Sequence, residues 1–173
     1  MAIAASDIQF RYSGGASNTD PDACLGGAIS TDASGVVDDS VKNDLFDDVS
    51  SSEATAGDTE YRGIYIKNAH ATLTLQDARI YISAVSSETD DVIDIAVADE
   101  AVSTTMETIT DESTAPTGPT FSAPTDYAGG LALNSTTGLA AGAYKGVWVR
   151  RTTSASAASG SISNTLKVEG QTA

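Results

Sequence analysis

Residues 60–82 read EYRGIYIKNAHATLTLQDARIYI, and this stretch limits the fold more than any other. Arg62, Ile64 and Ile66 alternate with Tyr61, Tyr65 and Lys67. The alternation resumes through Leu73 and Leu75 and again through Ile80 and Ile82. A period of two is the repeat of a half-buried strand, because successive side chains leave opposite faces of the backbone. Three such runs lie within 23 residues, broken only at Asn68-Ala69-His70 and at Gln76-Asp77. That spacing leaves no room for crossover helices and predicts antiparallel pairing. Gln76-Asp77 reads either as a tight hairpin turn or as a bulge.

Other segments extend the pattern. Asp7–Tyr12 alternates Ile8, Phe10 and Tyr12 and reads as a first strand. Leu25–Ser30 reads as a short strand that Gly26-Gly27 weakens or bulges. Val92–Val97, Leu131–Leu133, Tyr144–Arg151 and Ile162–Val168 complete the set. The Trp148 and Leu166 strands, joined by a Ser/Ala tip at 154–160, read as a long-looped hairpin. Residues 36–49 carry five aspartates around Val41, Leu45 and Phe46. They read as one helical turn anchored by Leu45 and Phe46, and 50–58 as a small-residue loop. About eight strands with regular turn signals predict an all-β, antiparallel β-sandwich, immunoglobulin-like or jelly-roll-like, with long loops. Tyr144 follows the Gly142 corner at the entry of the Trp148 strand, which resembles a tyrosine corner.

The length of 173 residues predicts one domain over 1–173. It carries an N-terminal arm, 1–12, and a long mobile loop, 99–127, that holds three of the four prolines. The net charge is −15, no Lys or Arg occurs between Arg79 and Lys145, and nine carboxylates lie from Glu88 to Glu112. Such a field repels phosphate, so neither nucleic acid nor an anionic membrane is expected as a partner. The opening MAIAASDIQF lacks a basic, apolar leader, and no apolar run is long enough to span a bilayer. Synthesis in a cytoplasm is expected.

Reactive chemistry is sparse. His70 is the single histidine and Cys24 the single cysteine, so neither a zinc site nor an internal disulfide is expected. Cys24 reads as a small buried residue. No nucleophile elbow, phosphate-cradling loop or dinucleotide fingerprint occurs. Asp20/Asp22, Asp38/Asp39, Asp44/Asp47/Asp48 and Asp90/Asp91 offer oxygens, but none follows a calcium-loop pattern, and they read as solvated loop acids. The Asn134-Ser-Thr sequon has no secretory context. The expectation is therefore no enzyme, no catalytic residue, no metal and no cofactor. Arg150 and Arg151, on opposite faces of one strand end, read as an exposed ion-paired end or as interface arginines. With Ile8 and Phe10 of the amino-terminal arm, which would act by strand addition, they are the candidate partner-interface residues.

Gly57–Ile82, Gly138–Thr152 (GLAAGAYKGVWVRRT) and Thr165–Gly170 (TLKVEG) together resemble small acidic virion proteins of tailed bacteriophages, of the capsid decoration or cement type. The resemblance covers about a third of the chain. It implies a β-sandwich on the outer capsid surface of the virion, bound to the major capsid protein as a homo-oligomer, with a trimer favoured. It carries no catalytic residues. A tail- or fibre-associated module that recognises a host surface glycan is the alternative. A hydrolase built on paired carboxylates ranks last.

Overall fold

The computed structural model describes residues 2–134, 137–157 and 162–172. Its strands are β1 (Ile8–Tyr12), β2 (Gly26–Gly27), β3 (Asp58–Asn68), β4 (Leu75–Ala84), β5 (Asp91–Val97), β6 (Met106–Thr108), β7 (Leu131–Ala132), β8 (Tyr144–Thr153) and β9 (Thr165–Thr172). The one α-helix among the described residues is α1 (Ser51–Ala56), and Ala5–Asp7 and Pro21–Ala23 form 3-10 turns.

All pairing is antiparallel, in sheets ordered β1-β3-β8-β5, β7-β4-β9 and β2-β6. The two larger sheets face each other as a sandwich. Ile64, Ile66, Ile95, Val147 and Val149 of the four-stranded sheet meet Ala78, Ile80 and Ile82 of β4, with Leu75, Leu133 and Leu139 filling between them. The other face of the four-stranded sheet is buried too. There Tyr61, Tyr65, Ala96 and Trp148 lie under Ile29, Met106 and Ile109, which belong to the 13–35 and 99–127 segments. This double burial explains why β3 is buried without interruption from Glu60 to Ile66, although its side chains alternate.

Among the described strands, no two that are consecutive in the chain are neighbours in a sheet. Two expected hairpins are therefore corrected. β3 and β4 belong to facing sheets, because their isoleucines bury against one another rather than side by side. β8 lies between β3 and β5, so both its edges are taken and β9 pairs with β4 instead. The runs at 73–75 and 80–82 merge into β4. Gln76-Asp77 is a bulge within it, with Asp77 at φ +46° and a register shift before Arg79.

The helix falls later than expected. Residues 38–49 are irregular, although Leu45 and Phe46 do pack against the main core. Helix α1 is capped by Ser50, whose hydroxyl accepts from Glu53 N–H at 3.3 Å while the Glu53 carboxylate accepts from Ser50 N–H at 2.6 Å. This reciprocal cap holds a helix too short to stand by itself. Tyr144 is not a local corner either. Its hydroxyl donates to the Ser103 carbonyl, 41 residues upstream, and its ring meets Tyr65 edge-on at 5.3 Å.

The two segments expected to be free are laid against the sheets. β1 is the edge strand of the four-stranded sheet, and Ile3 packs on the main core. Within 99–127, Ser122 bridges Ile95, Glu112 carbonyl accepts from Tyr61 N–H, and Pro124 carbonyl accepts from Ile82 N–H. Only glycine fits at Gly26. Its φ is +87°, and a Cβ there would sit 1.8 Å from the Glu107 carbonyl oxygen and 2.9 Å from the Trp148 ring. The 158–161 part of the Ser/Ala tip and residues 135–136 of the sequon lie outside the described residues.

Candidate functional site

Ile8 and Phe10 sit opposite Asn68 and Ile66 of β3 and are half-buried against the main core. The outer side of β1 is already occupied toward its end. Val37 N–H donates to the Phe10 carbonyl at 2.9 Å and Tyr12 N–H to the Gly35 carbonyl at 3.1 Å.

Arg150 and Arg151 do leave opposite faces of β8. Arg150 lies 4.8 Å above the Phe121 ring and donates to Asp94 from Nε at 3.2 Å and Nη2 at 2.5 Å. Arg151 is buried on the sandwich side. Its Nε donates to Glu60 at 2.5 Å, Nη1 to the Asp47 carbonyl at 2.6 Å and Nη2 to the Asp47 carboxylate at 3.1 Å. Glu60 is 3% exposed, and it faces Arg151 across the β3–β8 register. Arg62, 1% exposed, follows on the same face of β3 and binds Glu112 at 2.5 Å. The Phe46 ring lies 5.6 Å from the Arg62 guanidinium and 4.9 Å from that of Arg151. One end of the sheet is thus closed by stacked cations and their acids, a geometry suited to planar guanidinium groups.

Two members of this cluster hold buried atoms without a hydrogen-bond partner, Arg62 at its Nε and Asp91. Asp91 opens β5 opposite Thr153, is 5% exposed, and neither buried carboxylate oxygen has a hydrogen-bond partner. Burial raises its pKa above the ordinary carboxylate value, although the Arg151 charge pulls it down. Burial also raises Glu60, again against the pull of Arg151. Sequence reasoning missed this cluster because its members are far apart in the chain and each reads as an ordinary strand-end charge.

The remaining candidates are structural. His70 Nδ1 accepts from Thr72 N–H at 3.1 Å and Leu73 N–H at 2.9 Å, which ties the turn before β4. Cys24 is fully buried, and burial pushes its thiol up to about 12, far from a reactive thiolate. Asp20 accepts from Asp22 N–H at the head of a 3-10 turn. Asp38 accepts from Ser40 N–H and hydroxyl, Asp44 from the Tyr12 hydroxyl, and Asp111 from Ser113 and Thr114. Asp20, Asp38 and Asp111 thus build turns by bonding their own neighbours, whereas Asp44 ties its loop to β1, 32 residues away. Among the described residues, no group of three or more His, Cys, Asp and Glu is placed to hold a metal. A cleft of about 460 Å³ at the end of the sandwich is lined by Val97, Val102, Leu133 and Lys145. The Lys145 ammonium donates there to the Glu100 carbonyl, and burial lowers its pKa.

No described helix is long and apolar enough to cross a membrane. The chain matches no protein-family model, no curated protein and no solved structure.

Proposed function

We propose that this chain is a structural protein of a tailed-bacteriophage virion. In this reading it decorates or cements the outer capsid surface by binding the major capsid protein as a homo-oligomer. The observation that carries the reading is how the polar chemistry is used. The arginines, the histidine and most of the loop acids described above are engaged in building turns, caps and ion pairs within the fold. What such a domain offers to a partner is surface rather than a reactive centre. Many copies on a repeating lattice multiply modest contacts into firm attachment. The acidic exterior, with a net charge of −15, suits attachment to basic patches on a shell.

Purified particles test the proposal. The chain should co-sediment with intact virions in a fixed ratio to the major capsid protein, and added protein should bind shells that lack it. Its absence from washed particles, with all of it in the soluble fraction, sinks the proposal. Chelator-sensitive binding to a glycan array would favour the tail or fibre reading instead.

A further inference from the structure

A sheet edge that is long, regular and unpaired is a template for another strand. This chain covers most of its edges itself. Val36 bridges Arg11 on β1, and Ser122 exchanges both backbone bonds with Ile95 on β5, at 2.8 and 2.9 Å. β7 is two residues long, and the β4 edge beside it is taken by Pro124 carbonyl and Leu133 N–H. β9 differs. It runs for eight residues, pairs with β4 on one side, and has no backbone hydrogen bond on the other side among the described residues. The amino-terminal segment approaches it through one bond, Ile3 N–H to the Thr172 hydroxyl at 3.3 Å. Elsewhere Ile3, Ala4 and Ala5 stand off from Val168–Gly170 across a cleft of about 210 Å³.

We infer that β9 pairs antiparallel with β9 of a second copy of this chain, across a two-fold axis at Val168. Among the described strands of five residues or more, β9 is the one whose outer side makes no backbone hydrogen bond, and self-pairing through that side uses the same edge on both copies, which makes the contact two-fold. The charges then choose the register. Lys167 and Glu169 lie on the solvent face, 3.0 Å apart and 49% and 41% exposed, beside Tyr81. With the axis at Val168, each Lys167 stands opposite the second copy's Glu169. Moving the axis to residue 167 or 169 sets like charges against each other, which is unfavourable. A lysine by itself protects an edge from pairing. Here the glutamate two residues further on makes that lysine complementary to a second copy. The inner face gains a Val168–Val168 contact, and each three-stranded sheet becomes half of a six-stranded one.

This contact needs no capsid, so it is measured on the purified full chain and its failure is separate from that of the particle experiment. Native mass spectrometry and light scattering should find a dimer. Lys167→Glu and Glu169→Lys each place like charges opposite one another twice, and each should weaken the dimer about tenfold while circular dichroism stays unchanged. Mixing the two variants restores complementarity and should give a heterodimer as tight as the parent. The double variant, with both charges exchanged, should also pair as the parent does. A parent that is monomeric or trimeric overturns the inference, and so do single variants with parental affinity or a mixture that fails to associate.

Discussion

The two faces of the four-stranded sheet are built on different terms. The face toward β4 is aliphatic: Ile64, Ile66, Ile95, Val147 and Val149 meet a second sheet. It ends at the buried Arg151–Glu60 pair. The opposite face carries Tyr61, Tyr65, Trp148 and Ala96 under a roof of loop and of the two-residue strand β2. It ends at Arg150 and Asp94, which keep contact with water. Strand meeting strand needs only volume and alternation. Loop meeting strand needs particular backbone conformations, such as that of Gly26, and hydrogen bonds for every buried amide.

Adjacent arginines test this contrast most directly. Arg151→Ala leaves Glu60 buried and unpaired and should cost about 4 kcal/mol in chemical denaturation. A loss under ~1 kcal/mol would show that the sandwich end is not held by that pair. Ile80→Ala removes volume from the aliphatic face and should cost about 3 kcal/mol with an unchanged denaturant slope. Gly26→Ala acts on the roof. The new methyl meets the Glu107 carbonyl, so about 2 kcal/mol should be lost, with faster hydrogen exchange at Met106–Thr108 and not at Ile80–Ile82. Equal exchange at both places would mean the two faces open as one unit.

Asp91→Asn should raise stability at neutral pH by about 1 kcal/mol, because it removes a buried charge that has no hydrogen-bond partner. The sign follows from linkage. Burial raises the folded-state pKa above the ordinary 3.8, so the native chain holds its proton more tightly than the unfolded one. The penalty is absent below 3.8 and appears as pH rises through the raised value. Thermal midpoints of parent and variant should therefore converge at low pH, and a constant gap would contradict this account. Arg150→Ala should have the smallest effect, about 0.5 kcal/mol, since its ion pair is partly solvated. A loss matching that of Arg151→Ala would erase the distinction between the faces.

Much of the sandwich was legible in the alternation alone. Ile64 and Ile66 against Tyr61 and Tyr65 do divide between two faces, and β1, β5 and β8 begin and end near the expected positions. The helix was legible as well, because Ser50 and Glu53 have the spacing of a reciprocal cap. The ion cluster was not legible. Asp47, Glu60, Asp91 and Arg151 come from four separate segments, and no local pattern marks charges that meet only after folding.

Strand identity and the inward or outward direction of each side chain were determined by the amino-acid sequence, because both follow from a two-residue repeat that needs no distant partner. The neighbour of each strand was decided by tertiary structure. Backbone donors and acceptors are the same at every residue, so β8 could have met β9 by local pairing as well as β3 and β5. Burial of the isoleucine faces against each other, and of Trp148 beneath its roof, selected the long-range arrangement.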